Sequence, residues 1–153
     1  NKNTKMGDHT VVLHRVIKAP ISKVFRAFSD PRALKSWIPP YGFLCEIQEM
    51  DFKIGGSFKM SFLNFTTEKS QSFGGNYLDI QPNELLKYSD TFDDPNLPGT
   101  MTTTVWFKEV ICGTDIIVTQ EGIPQIIPIE MCYLGWQESL EKLIKLVEPE
   151  IQD

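Results

Sequence analysis

Residues 128–147, PIEMCYLGWQESLEKLIKLV, decide the fold that this sequence predicts. Apolar side chains recur there at spacings of three and four residues, which places them on one face of an α-helix. They are Cys132, Trp136, Leu140, Leu143, Ile144 and Val147. Pro128 suits the first helical position because its missing N–H would be unpaired there, and Pro149 ends the helix. Twenty residues form a helix of about 30 Å, whose apolar face needs a broad surface to cover it.

The chain before this helix supplies that surface as β-strands. Residues 10–17 read as a first strand, and two short helices follow, one with Ser22 as its predicted N-cap and one at residues 32–37. From residue 43 onward the apolar pattern repeats every second residue, which is typical of strands with one buried face. Six strands are predicted, at residues 43–52, 57–62, 72–80, 85–92, 101–108 and 114–121. Tight turns join successive strands, so the sheet is predicted to be antiparallel.

The order strand, two short helices, six strands and long helix predicts one α+β domain. A sheet of this size curls through its own twist, and here it is expected to wrap around the long helix. The domain is predicted to span residues 10–153, after a flexible polar tail at residues 1–9. Whether side chains fill the space between sheet and helix, or leave it open, decides between the functions considered below.

Composition excludes several classes of function. A net charge of −5 argues against nucleic acid and against an anionic membrane surface, both of which favour basic patches. No apolar run approaches the ~20 residues that span a bilayer, and no signal peptide is recognised, so a cytoplasmic location is predicted. The three cysteines, Cys45, Cys112 and Cys132, form no CxxC pair and are predicted to be buried reduced thiols. Neither a metal site nor a cofactor is expected.

Catalytic motifs are missing, but two carboxylates are candidates for proton transfer. The sequence contains no GxSxG, no HExxH and no glycine-rich phosphate loop. Glu49 follows Cys45 and Ile47 on one strand face, and Asp90 lies between two aromatic residues on another. If these faces point inward, burial raises the pKa of each acid and makes it a proton donor or acceptor for a ligand. The alternative is a solvated or hydrogen-bonded carboxylate at the rim of the sheet.

Aromatic residues on the predicted inner faces are the most informative feature of the sequence. They are Phe58, Phe62, Tyr77, Tyr88, Phe92 and Phe107 on the strands and Trp136 on the long helix. Ligand pockets are mostly apolar and aromatic, although a packed core needs the same residues. The two tyrosines favour a cavity, because a buried phenol must find a partner. Gln120 lies in line with Ile116 and Val118 and offers a neutral hydrogen bond inside such a pocket.

Five segments resemble, in the same order, the family named for the activator of the heat-shock ATPase, within the START-related, birch-pollen-allergen-like (SRPBCC) superfamily. They are APISKVFRAFSDPRALKSWIPPYGF at 19–43, EMDFKIGGSFKM at 49–60, GNYLDIQPNELLKYSDTF at 75–92, MTTTVWFKEVICGTDIIVTQEG at 101–122 and GWQESLEKL at 135–143. The resemblance covers about residues 10–147, nearly the whole chain. It implies a helix-grip fold, in which a curved antiparallel sheet and two small helices hold a long C-terminal helix over a cavity.

The resemblance implies less about activity. Relatives bind lipids, sterols, polyketides or plant hormones, a few are cyclases or hydrolases, and the co-chaperone role belongs to longer members with an additional N-terminal domain. Two features depart from the family pattern. A tryptophan pair after the second helix is reduced here to Trp37-Ile38, and the loop at residues 93–99 is rich in proline at the expected pocket mouth.

Three hypotheses follow. The first is binding of a small apolar ligand between sheet and helix by Trp37, Phe58, Met60, Phe62, Tyr77, Tyr88, Asp90, Phe92, Gln120 and Trp136. The second is a protein-interaction module that modulates a chaperone or another enzyme. The third is a cyclase-type or hydrolase-type enzyme that uses Glu49 or Asp90 as acid or base. The sequence leaves open whether the protein is a monomer or a homodimer.

Overall fold

The computed structural model of the chain describes residues 9–153, so the predicted tail lies outside the described residues apart from His9. The elements are β1 (Val11–Ile17), α1 (Ile21–Ser29), α2 (Pro31–Trp37), β2 (Phe43–Met50), β3 (Ser57–Asn64), β4 (Ser70–Gln81), β5 (Leu85–Phe92), β6 (Met101–Val110), β7 (Gly113–Glu121) and α3 (Ile129–Val147). The predicted order of elements is confirmed.

Seven strands form one antiparallel sheet in the order β1-β7-β6-β5-β4-β3-β2. Six successive strands are neighbours because short connections of two to eight residues join them, and β1 joins the far side of β7. The sheet curves around α3, which contacts β1, α1 and α2. This arrangement is the predicted α+β helix-grip fold. None of the helices in the described chain combines the length and the hydrophobicity needed to span a bilayer.

Two helices begin at a backbone cap that the sequence analysis missed. Pro20, not Ser22, is the N-cap of α1, and its carbonyl accepts the N–H groups of Lys23 and Val24. Pro128 is likewise the N-cap of α3 and not its first helical residue. In both cases the proline is extended and no side chain caps the helix, so the prediction that Ser22 would do so is wrong. A polar side chain at the N-cap would accept a hydrogen bond from an N–H group of the first turn, and proline cannot supply one.

The long helix has two halves that differ in their surroundings. Its C-terminal half places Leu140, Leu143 and Val147 in the hydrophobic core, as the spacing predicted. The N-terminal half carries Cys132 and Trp136, which are only partly buried although they lie on the same stripe. The sheet and the short helices therefore close tightly over one half of α3 and less tightly over the other.

Four hydrogen bonds fix the loop between α2 and β2 to α3, one of them from the Tyr41 hydroxyl to Glu141 Oε1 at 2.6 Å. The Ser139 hydroxyl donates to the carbonyl of Ile38 at 2.6 Å, and Lys142 Nζ donates to the carbonyl of Pro39 at 2.9 Å. The backbone N–H of Tyr41 donates to Glu138 Oε1 at 3.1 Å. These bonds hold the loop against the middle of the helix, where it forms one wall of the site described below.

The cysteines differ in burial more than the sequence suggested. Cys45 is buried and Cys132 is partly buried, but Cys112 is exposed, so the prediction of a buried thiol is wrong for Cys112. The physical reason is position: Cys112 lies in the two-residue turn between β6 and β7, where no core surface is within reach. All three are free thiols.

Candidate ligand-binding site

A cavity of about 240 Å³ lies between the inner face of the sheet and the N-terminal half of α3. It is lined by Phe28, Leu34, Ile38, Pro40, Phe58, Met60, Phe62, Gln71, Phe73, Tyr77, Leu86, Tyr88, Asp90, Phe92, Met101, Gln120, Cys132, Gly135, Trp136 and Ser139. The volume is just below the ~300 Å³ at which small-molecule pockets usually begin. The interior is therefore not fully packed, but its free space falls short of that size.

Nine of the ten residues that the sequence analysis assigned to a ligand line this cavity. Strands β3, β4, β5 and β7 supply eight of them at alternate positions, and α3 supplies Trp136. Alternation found them because a buried strand face repeats every second residue. Their contact with a ligand stays a prediction.

Trp37 is the exception, and the placement predicted for it is wrong. Its side chain is fully buried, and its indole Nε1 donates to the carbonyl of Ala27 at 2.8 Å. The ring meets Phe28 edge to face with centroids 4.8 Å apart. The indole thus packs α2 onto α1 behind the wall of the cavity, and Phe28 lines the cavity in its place.

Glu49 does not point inward either. A β-bulge between Ile47 and Glu49 shifts the register of β2 against β3, so the alternation that places Cys45 inside no longer applies to Glu49. Its carboxylate is exposed and accepts a hydrogen bond from the Ser57 hydroxyl at 2.7 Å. The premise for Glu49 as an acid or base in the cavity is wrong.

Asp90 lies on the inner face of β5 and lines the cavity. Only 7% of the residue is exposed, and its Oδ1 atom has no hydrogen-bond partner. Burial raises the pKa of Asp90 to about 7, and the backbone N–H of Thr91 opposes this rise only in part. Near neutral pH the carboxyl group can therefore accept or donate a hydrogen bond to a ligand.

A row of polar side chains crosses the inner face from β4 to β7. Tyr77 pairs with Tyr88, Tyr88 with Thr103 and Thr103 with Gln120, so these residues lie directly opposite one another on a shared face. Gln120 Oε1 then accepts a hydrogen bond from Trp136 Nε1 at 3.0 Å, which joins the row to α3. Burial raises the pKa of both tyrosines, so both phenols are neutral hydrogen-bonding groups at neutral pH.

Aromatic rings form the wall beside this row. Phe73 meets Phe62 at a centroid distance of 4.8 Å and Phe92 at 6.2 Å, and Phe58 meets Tyr88 at 5.5 Å, all edge to face. All five of these rings line the cavity and make up much of its apolar surface.

Phe73 was missed in the sequence analysis, although its spacing from Tyr77 could have shown it. Gly75 interrupts the alternation between Phe73 and Tyr77, because it lies on the same strand face and has no side chain. The other lining residues that were not predicted come from α1, α2, the loop after α2 and three helical positions of α3, together with Gln71, Leu86 and Met101 on strands.

The lining is mainly apolar and carries a small number of polar groups. They offer one carboxyl, two phenols, two amides, one hydroxyl and one thiol within an apolar enclosure. Within residues 9–153 no three His, Cys, Asp or Glu side chains cluster in a way that could hold a metal ion.

Comparisons with known proteins match the family and the fold of this chain. The family model described as "Activator of Hsp90 ATPase homolog 1-like protein" matches residues 18–148. A crystal structure of a protein from Chromobacterium violaceum is 51% identical, covers 93% of this chain and 99% of that chain, and superposes with a TM-score of 0.92. A putative uncharacterised protein from Rhizobium leguminosarum is 25% identical over 92% of this chain and 95% of its own, with a TM-score of 0.76.

A more distant structure, from Rhodobacter sphaeroides, shares the fold alone: it is 16% identical over 90% of each chain, with a TM-score of 0.77. No curated protein matches this sequence significantly.

Proposed function

We propose that this chain, which belongs to the family of activator of Hsp90 ATPase homolog 1-like proteins, binds a small, largely apolar ligand between its sheet and α3. One observation carries the proposal: an aromatic cavity remains open beside a buried carboxyl oxygen that has no partner. A buried polar atom of this kind is rare in folded proteins and calls for an explanation. A ligand that fills the cavity and reaches Asp90 provides one.

An open cavity of this size is unusual in a domain of this length. Protein interiors contain few voids larger than one water molecule, whereas 240 Å³ corresponds to about eight water volumes at ~30 Å³ each. A ligand that enters the cavity buries apolar surface against its aromatic walls, which supports binding as the function.

The same volume limits the ligand. About eight water-sized volumes correspond to one ring with a short side chain, so a compound of roughly eight to ten non-hydrogen atoms fits. A sterol or a long fatty acid exceeds the space and requires the sheet and α3 to move apart.

Gly135 gives a direct test, because it lines the cavity and an added Cβ meets no atom within 4 Å. Gly135→Leu is expected to fill part of the cavity and to weaken binding of ethylbenzene at least tenfold. Gly135→Ala is the matched control: it keeps most of the space, and both variants gain up to about 1 kcal/mol of stability from improved helix propensity. Isothermal titration with ethylbenzene and urea denaturation of each variant provide the two measurements.

Equal affinity of Gly135→Leu and the wild type for ethylbenzene would contradict the proposed site. The proposal is also wrong if no single-ring apolar compound raises the melting temperature of the wild-type protein, because the cavity then does not bind ligands of the size that it suits.

A second candidate function is modulation of a chaperone ATPase, which the description of the family model favours. The first two turns of α3 support it by exposing Met131 and Leu134 together on the face that points away from the sheet. Exposed apolar surface suits a protein partner.

Measurement of Hsp90 ATPase turnover with this chain and with Leu134→Glu tests this candidate, which predicts stimulation by the wild type alone. An unchanged rate with the wild-type chain removes it.

A further inference from the structure

Among the described residues that line the cavity, Asp90 carries the only carboxyl group, and no lysine, arginine or histidine accompanies it. Its ionised form is therefore buried next to aromatic rings without a counter-charge from the protein. A buried carboxylate in that position is strongly unfavourable unless a positive charge or several hydrogen-bond donors accompany it.

The other titratable groups that face the cavity do not supply such a charge. They are Tyr77 on β4, Tyr88 on β5 and Cys132 on α3, and burial raises the pKa of each. All three are neutral below pH 8. Strands β3, β6 and β7 and helices α1 and α2 contribute no titratable side chain to the lining. The described lining therefore supplies no counter-charge for an ionised Asp90, and a cationic ligand would provide one.

The surroundings of Asp90 also suit a cation. Phe92 lies two residues further along the same face of β5, and Phe73 packs against Phe92 with centroids 6.2 Å apart. Aromatic faces attract ammonium groups, most strongly where water is excluded. The net charge of −5 attracts cations to the protein as a whole.

We propose that the ligand is a small apolar amine, and that its protonated nitrogen donates a hydrogen bond to Asp90 Oδ1 while its apolar body lies against the aromatic rings of the cavity. This inference rests on the function proposed above and adds the chemical class of the ligand. It assigns Asp90 as the residue that discriminates amines from neutral compounds of the same shape.

Binding of a protonated amine at Asp90 predicts how the affinity for the ligand changes with pH. An ammonium group binds the ionised carboxylate, so affinity should fall about tenfold per pH unit below the pKa of Asp90, which is about 7. Above that pKa affinity should level off until the amine itself loses its proton near pH 10. A ligand that instead accepted a hydrogen bond from protonated Asp90 would bind more weakly as the pH rises through 7.

Three probes of one shape separate these cases: 2-phenylethylamine, 2-phenylethanol and ethylbenzene. At pH 8 we expect the wild-type protein to bind the amine at least tenfold more tightly than the alcohol, and more tightly still than ethylbenzene. In Asp90→Asn the amine should lose this advantage while ethylbenzene still binds, which also shows that the variant is folded. Asp79→Asn removes the same charge from a residue outside the cavity and should keep the preference for the amine.

The outcomes are distinguishable. If ethylbenzene or the alcohol binds as tightly as the amine, or if Asp90→Asn retains the preference, the amine assignment is wrong although the cavity still binds ligands. Stronger amine binding at pH 5 than at pH 8 overturns it as well. If none of the three probes binds to the wild-type protein, the proposed function fails together with the inference.

Discussion

Replacing Trp37 with alanine is expected to lower the free energy of unfolding by about 3–5 kcal/mol. The indole is fully buried, packs edge to face against Phe28 and fills the space between α1 and α2. The substitution leaves a cavity there and also leaves the carbonyl of Ala27 without the donor at 2.8 Å. A buried carbonyl without its partner adds to the loss from packing.

Trp106 provides a matched control, because the same change removes an indole that is 53% exposed on the outer face of β6. Trp106→Ala should cost less than about 1 kcal/mol. Urea denaturation of both variants gives the comparison. Similar losses at the two positions, or a larger loss at Trp106, would contradict the assignment of Trp37 to the core.

The free energy of unfolding is also expected to depend on pH through Asp90. The pKa of Asp90 is about 7 in the folded protein, while an unfolded aspartate has a pKa near 3.9. Between these values the folded state binds one more proton than the unfolded state, so the contribution of Asp90 to stability falls as pH rises. The slope is about 1.4 kcal/mol per pH unit, which accumulates to about 4 kcal/mol between pH 4 and pH 7 and then levels off.

Asp90→Asn removes this titration. The free energy of unfolding of Asp90→Asn minus that of the wild type should therefore increase from pH 4.5 to pH 7 and stay constant from pH 7 to pH 8.5. Urea denaturation at four pH values measures the difference, with Asp79→Asn as the control that carries the same change of charge outside the cavity. A difference that is flat across this range, or that decreases, would show that Asp90 is not buried as described.

The fold was predictable from the sequence because, within each helix or strand, the buried side chains recur at a regular spacing. The stripe from Cys132 to Val147 identified α3, and residues alternating along β3 and β5 identified the inner face of the sheet. These patterns depend on local geometry, since each helix or strand turns its side chains at a fixed period. Nine of the predicted contact residues line the cavity for the same reason.

The errors arose where tertiary contacts override the local period. A bulge in β2 turned Glu49 outward, and Gly75 concealed the relation between Phe73 and Tyr77. The direction of the Trp37 side chain depends on how α2 packs against α1. A helix of seven residues is too short for its apolar pattern to specify that packing. Pro20, rather than Ser22, occupies the N-cap position of α1, and no side chain caps this helix.

The cavity itself was not predictable from the residues that line it. The same phenylalanines and tyrosines would fill a solid core if α3 lay closer to the sheet. The position of α3 is held by the α2–β2 loop through Ser139 and Lys142, and Gly135 leaves space where another residue would place a side chain. Such long-range constraints emerge only when the elements are assembled.

The most direct test of ligand binding in this cavity uses the methionine methyl groups. Met60 and Met101 line the cavity, whereas the side chain of Met131 is exposed on α3. With methyl-labelled methionine and added ethylbenzene, we predict intermolecular NOEs from the aromatic protons to the methyl groups of Met60 and Met101, and none to Met131. NOEs to Met131 alone, or no NOE to either cavity methionine under conditions where ethylbenzene binds, would contradict the account.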